Sequence, residues 1–315
     1  ALLAGLPDSV PGTTVTRFCA SSLQAIRMAF HAIKAGEGDT FVAGGTESVS
    51  TTASKLTTPE DKNPRFVDTS RSDYINDAYI AMGLTAENVA RQFSISRQRQ
   101  DEYAVVSQNR AEKAIANGFF EREITPVTMP DGRVVTTDDG PRPGVTIEGV
   151  SGLNPVFRPD GTVTAGNCCP LNDGAAAVMV MSDTKAAELG LSPLARVVAT
   201  GVSALSPEIM GLGPIDASKQ ALARAGMTIG DMDLYEINEA FAAQVLPSAD
   251  DLGMDLDKLN VHGGAIALGH PFGSTGTRIM TTLINGLESR DAQFGLETMC
   301  VGGGQGMAII VERLS

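Results

Sequence analysis

Cysteine and histidine are the scarce reactive residues of this 315-residue chain, with four and three copies respectively. Cys19 closes the run TTVTRFC and is followed by the small residues Ala20, Ser21 and Ser22. A cysteine at a helix N-terminus meets unpaired backbone N–H groups and the positive end of the macrodipole, both of which favour a thiolate. The position predicts a nucleophile; a buried, inert thiol is the competing reading, because free cysteine is among the most buried residue types. His270 lies in GGAIALGHPFGSTG, a run too rich in Gly, Ser and Pro for a helix or strand interior. It reads as a tight loop that holds an imidazole ready to take a proton from a thiol or carry one for a leaving group. A structural histidine in a glycine-rich turn is the alternative. Cys300 precedes Gly302-Gly303-Gly304 at the end of an apolar run, where glycines let backbone amides approach a ligand oxygen, as an oxyanion hole requires. Simple strand termination competes. Asn238, in YEINEAFAAQ, falls between a strand and a helix, where capping is its plain role.

The elements that must position these groups follow from pattern. Residues 13–18 are β-branched and aromatic and predict a strand leading into Cys19. Leu23, Ile26, Ala29, Phe30 and Ile33 recur at spacings of three and four, predicting an amphipathic helix from Ser21 to Ala35 closed by Gly36. DTFVAGG predicts a strand ending in Gly44-Gly45. From about Ser48 to Gly166 charges, Pro and Gly become frequent, as in an insertion, with one helix expected from Thr85 to Asn117, Thr85 as its N-cap and Glu87 in its first turn. AAAVMVMS, LARVVATGVSA, DLYEINEAFA, LNVHGGAIALG and LETMCVGGGQGMAIIVERL then continue an alternation of strands and helices. There is an internal echo. Cys19, a helix and a strand ending in glycines are matched by His270, the helix STGTRIMTTLI and TMCVGGG, as two related βα halves sharing one site would produce.

Bulk composition excludes several classes. The chain is 43% hydrophobic, enough for one large or two ordinary cores. No apolar stretch reaches the roughly 18 residues of a membrane span, and the beginning lacks a signal-peptide pattern, which predicts a soluble cytoplasmic protein without membrane insertion. Four cysteines (Cys19, Cys168, Cys169, Cys300) form neither a disulfide framework nor a zinc-spaced set. A net charge of −13 argues against nucleic acid as a partner. The opening ALLAGLP reads as the end of a helix under way and predicts a further segment before it.

Together, CASS at a helix start, NEAFAAQ, GGAIALGHPFGSTGTR and CVGGGQG, in this order and at these separations, resemble the thiolase family over essentially the whole chain. The resemblance implies an α/β protein with a layered αβαβα fold of two related halves. Residues 1–47 plus 167–185 would form the N-terminal half, 48–166 an inserted loop domain covering coenzyme A and the acyl pocket, and 186–315 the C-terminal half. It also implies roles. The cysteine matching Cys19 attacks a 3-ketoacyl-CoA and carries the acyl group, and that matching His270 activates the thiol and binds the thioester oxygen. Cys300 would shuttle a proton to and from the acetyl Cα, and Asn238 would position a water in a first oxyanion hole. The N–H groups of Cys19 and Gly302 would form a second. Arg142, in PRPG, is the candidate for packing on the adenine, with a solvated arginine as the rival; Met82, Met210, Phe241 and Cys169 would line the acyl or pantetheine pocket. Coenzyme A is expected as a substrate, with no permanently bound cofactor and no metal, in a homodimer or homotetramer.

The chain departs from the family pattern at two places. Thiolases that make acetoacetyl-CoA commonly carry a histidine before the methionine matching Met82, and here Ala81 stands there, which points to a degradative enzyme of fatty-acid β-oxidation. Cys168 and Cys169 occupy places where small or hydroxyl residues are usual, as fillers or as a redox-sensitive pair. A biosynthetic acetoacetyl-CoA thiolase, a β-ketoacyl synthase and a non-catalytic lipid- or CoA-binding relative are the competing readings.

Overall fold

The apolar rhythm between Ser21 and Ala35 forms helix α1 (Ser21–Ala35), which buries Leu23, Ile26 and Ala29 and stops where Gly36 adopts the left-handed conformation, φ 76°. The computed structural model describes residues 1–52 and 61–314. After α1 come β1 (Thr40–Ser48), α2 (Val49–Thr52), α3 (Met82–Gln92), α4 (Arg97–Ala116), the hairpin β2 (Val127–Thr128) and β3 (Val134–Val135), and α5 (Ile147–Ser151). The chain continues through β4 (Asp173–Met181), α6 (Asp183–Glu188), β5 (Ala195–Ala204), α7 (Gly213–Ala225), β6 (Leu234–Ile237) and α8 (Ala242–Leu252). It ends with α9 (Ala265–Leu268), α10 (Thr275–Ser289), β7 (Phe294–Val301) and β8 (Gln305–Arg313). Residues 53–60 of the expected 48–166 insertion, and Ser315, lie outside the described residues.

Beside the short β2/β3 pair, two layered sheets and two helical layers among the described residues follow from where the apolar faces point. β1 and β4 pair antiparallel; the larger sheet runs β5-β8-β7-β6, with β6 and β7 parallel and the other pairs antiparallel. α1 and α10 pack on each other between the sheets, while α7 covers the far face of the larger one. β7 and β8, covered on both faces, are buried along most of their length, and MAIIV of β8 reads as a continuous apolar run for that reason. The internal echo has a structural counterpart: α1 followed by the pair β1/β4, and α10 followed by β7/β8, with the insertion separating the strands of the first pair.

Four expectations are corrected. The strand expected at residues 13–18 does not form, because strand propensity needs a ladder partner and no strand among the described residues pairs with them; Phe18 instead opens a 3-10 turn. The expected helix from Thr85 to Asn117 is two, α3 and α4: Ser94 turns left-handed (φ 53°), and the Ser96 hydroxyl caps the second helix by accepting from Arg99 N at 3.2 Å. Thr85 caps nothing; α3 begins earlier, and the buried Thr85 hydroxyl donates to Met82 O at 2.6 Å. Glu87 faces inward, its Oε1 accepting from Thr162 N and Val163 N, both at 2.9 Å. β1 also runs past Gly44-Gly45 to Ser48.

Candidate active site

Cys19 sits in a single 3-10 turn, Phe18–Ala20, immediately before α1. Phe18 is left-handed (φ 47°), a conformation that costs a bulky residue on the order of 1–3 kcal/mol. Ser21 stitches the turn: its hydroxyl donates to Phe18 O (2.7 Å) and accepts from Arg17 N (2.9 Å). Cys19 as a whole is 9% exposed. Burial pushes its thiol up to about 11; the N–H groups of Gly302 and of Cys19 itself oppose the rise, and the Glu47 carboxylate adds to it. Desolvation thus works against the thiolate that the helix end and the two N–H groups favour.

His270 is 1% exposed in the turn before α10. The Thr275 hydroxyl donates to Pro271 O (2.9 Å) and so can only accept from His270 Nδ1, 2.7 Å away. That arrangement puts the ring proton on Nδ1 and leaves a lone pair on Nε2. Asn238 Nδ2 stands 3.2 Å from that Nε2. Burial first, and the Arg278 guanidinium second, depress the imidazole to about 3, which keeps the resting ring neutral. Asn238 is not a helix cap, since α8 starts at Ala242 with Phe241 as its N-cap. Its Oδ1 is buried with no partner among the described residues, and its N–H donates to Thr298 O (3.0 Å), two residues before Cys300.

The turns that carry Cys19 and His270 meet where the N-termini of α1 and α10 abut. Thr277 N donates to Ser22 Oγ (2.9 Å), and a Cβ on Gly276 would stand 2.5 Å from Leu23 N. Cys300 is fully buried, its thiol pushed up by burial and by the nearby Cys19, and its Sγ lies 3.7 Å from the Gln244 amide. Cys169 is held by its N–H to Ala240 O (3.0 Å). Burial first, then the neighbouring thiols Cys168, Cys19 and Cys300, push it well above the usual thiol range. The site thus gathers three sulfurs. A Cβ on Gly302 would be 3.8 Å from Met82 Sδ and 3.7 Å from Phe18 Cγ, so Met82 and Phe18 flank the Gly302 amide. Met210 (2% exposed) and Phe241 (6%) are enclosed in the apolar cluster that also holds Cys300, with Phe157 edge-on to Phe241. Arg142 is exposed, its backbone N–H donating to Gln108 Oε1 at 3.3 Å. The surface cavity of about 700 Å³ lined by Arg110, Phe119, His262 and Arg290 is separate from these groups.

Several positioning residues escape a local reading. Glu239, fully buried, accepts from Tyr103 Oη (2.8 Å), Ser107 Oγ (2.6 Å), Asn260 Nδ2 (2.8 Å) and Ile266 N (3.1 Å), locking α4 to the loop that precedes His270. Asn172 Oδ1 accepts from His270 N at 3.1 Å. The partners are 98 to 136 positions apart in three of these five bonds; the only local signal is that Asn172 and Glu239 stand in the segments GNCCPLND and NEAFAAQ.

Residues 1–184 match the family described as Thiolase, N-terminal domain, and residues 191–313 that described as Thiolase, C-terminal domain. An acetyl-CoA acetyltransferase of Thiocystis violacea is 46% identical over 325 residues, covering 99% of this chain and 82% of the relative. A 3-ketoacyl-CoA thiolase of Pseudoalteromonas translucida is 48% identical over 322 residues, covering 100% and 81%. The crystal structure of the dimeric peroxisomal thiolase of Saccharomyces cerevisiae superposes with a TM-score of 0.93 at 40% identity, covering 99% of this chain and 79% of that one.

Proposed function

The chain belongs to the thiolase family, and from that premise we propose that it cleaves a 3-ketoacyl-CoA with free CoA through an acyl-thioester on Cys19. The observation that carries the reading is the meeting of the Cys19 sulfur, the Gly302 N–H and the Cys300 thiol at one buried point. His270 Nε2 takes the proton of the neutral Cys19 thiol as sulfur adds to the 3-keto carbon, and the N–H groups of Cys19 and Gly302 hold the oxyanion. When the oxyanion collapses, the Cα–Cβ bond breaks and its electron pair passes to the acetyl Cα. The Cys300 thiol delivers a proton there, so acetyl-CoA leaves and Cys300 is left as thiolate. That thiolate takes the proton of incoming CoA, whose sulfur attacks the acyl-Cys19. Cys19 departs and recovers its proton from His270, and two easier transfers have replaced one hard cleavage. Asn238, with a buried Oδ1 that has no partner among the described residues, would orient a water beside His270 by accepting one of its hydrogens.

Arg142, Met82, Met210, Cys169 and Phe241 are the proposed contacts of coenzyme A and the acyl chain, CoA acting as substrate. We assign the degradative direction and longer acyl chains on Ala81, where acetoacetyl-CoA-forming thiolases commonly carry histidine. The acetyl-CoA acetyltransferase names among relatives favour the second reading, acetoacetyl-CoA formation. A homodimer is proposed by analogy with the yeast structure, described as dimeric. The test is thiolysis of acetoacetyl-CoA and of a longer 3-ketoacyl-CoA, followed by loss of the enolate absorbance. Wild type should turn over both, the longer one faster, and Cys19→Ser should lose about 10³-fold or more while still binding CoA. Near-normal turnover by Cys19→Ser would refute the mechanism; a preference for acetoacetyl-CoA would move the assignment to the second reading.

A further inference from the structure

Two loops from opposite ends of the chain supply the backbone N–H groups at the Cys19 sulfur, and neither is stiff by itself. Gly302 is followed by Gly303 (φ 78°) and Gly304 (φ 83°), residues with little rotational restraint of their own. The Cys19 amide follows the left-handed Phe18, a strained conformation that persists only where its surroundings over-determine it. One relay ties the two loops together across 288 positions. Arg17 Nη1 donates to Gln305 Oε1 at 2.5 Å, and Gln305 Nε2 donates to Gly302 O at 3.3 Å. The same guanidinium donates through Nε to Gln24 Oε1 on α1 at 3.0 Å. Among the described residues Arg17 forms no ion pair; its fork is spent on two neutral side-chain carbonyls, a use suited to geometry and not to charge neutralisation.

We infer that Arg17 and Gln305 are positioning residues for the acyl-transfer step, holding the Cys19 and Gly302 N–H donors at a fixed separation. The inference rests on the proposed reaction, in which those donors bind the oxyanion. Arg17 anchors the start of the nucleophile turn, and Gln305, at the head of β8, fixes the Gly302 carbonyl and with it the orientation of the glycine turn.

The experiment compares wild type with Arg17→Met, Gln305→Leu, the double variant and Gln305→Glu in 3-ketoacyl-CoA thiolysis and single-turnover acylation of Cys19. Each single variant should lower kcat and acylation about 10- to 100-fold, less than removing a donor outright, with KM little changed. The double variant should be no worse than the worse single one, because both break one relay. Gln305→Glu keeps an acceptor for Arg17 and loses the donor to Gly302 O, so it should share the loss while melting near the wild-type temperature. An active wild type with unaffected variants, losses that multiply in the double variant, or a loss confined to variants that melt early with Gln305→Glu normal would each overturn the relay alone. A wild type without thiolysis would instead overturn the proposed reaction, and the relay with it.

Discussion

Replacing Gly45 by alanine should disable the site by pushing on it from behind. Gly45 lies on β1 opposite Ala176, and a Cβ there would stand 1.8 Å from Gly273 O and 3.1 Å from Ser22 Cβ. Ordinary contact begins at 3.4 Å, so the Gly273 carbonyl must retreat by about 1.6 Å. The turn cannot absorb this locally, because Ser274 N and Thr275 N both donate to Pro271 O, at 2.9 and 3.0 Å, and Thr275 holds the imidazole. A displacement near 1 Å at a reacting group costs about 10²-fold in rate, and overpacking of this kind destabilises by about 1–3 kcal/mol. Gly36→Ala is the matched control: its φ of 76° strains an alanine, yet its Cβ would meet nothing within 4 Å. That variant should lose a similar stability, about 1–2 kcal/mol, and keep wild-type turnover. Steady-state thiolysis with urea titration of both proteins reads the two effects separately. A folded Gly45→Ala whose kcat lies within about threefold of Gly36→Ala, against the roughly 10²-fold loss expected, would refute the idea that this contact sets the His270 position.

Two further outcomes concern stability. The folded His270 imidazole titrates at about 3 against an ordinary 6.5, so the unfolded chain binds a proton that the folded one refuses. Its contribution is present above pH 6.5 and is lost as pH falls toward 3, at most about 5 kcal/mol over the window; the acid limb of the urea midpoint should flatten in His270→Asn, and identical limbs would contradict it. Cys19, raised from 9.0 to about 11, acts in the opposite direction, favouring the folded state less as pH rises above 9, a decline that Cys19→Ser should reduce. Glu236 and Glu297 face each other in register on β6 and β7, their carboxyls pushed well above the usual range chiefly by burial. Both oxygens of Glu297 are buried without a partner among the described residues. Glu297→Leu should therefore stabilise the fold by about 1–3 kcal/mol; a lowered urea midpoint would count against that reasoning.

By itself the sequence determined what depends on neighbours along the chain. The apolar rhythm of α1, its glycine stop, the buried strands β7 and β8 and the glycine turns around Cys300 and His270 all arise within a few residues, so pattern alone exposes them. It also placed the reactive types in the segments that converge. Tertiary structure decided what depends on distant partners. Residues 13–18 have the composition of a strand but no ladder to join, and Ser94 breaks a helix that propensity would have continued. The helix end beside Cys19 is legible in the sequence, but the opposing desolvation is not, because it is set by everything packed around the sulfur, including segments from the far end of the chain. Arg17, Gln305 and Glu239 were invisible as positioning residues for the same reason: a hydrogen bond across a hundred or more positions leaves no local spacing, and only the folded chain brings its two ends within 3 Å or so.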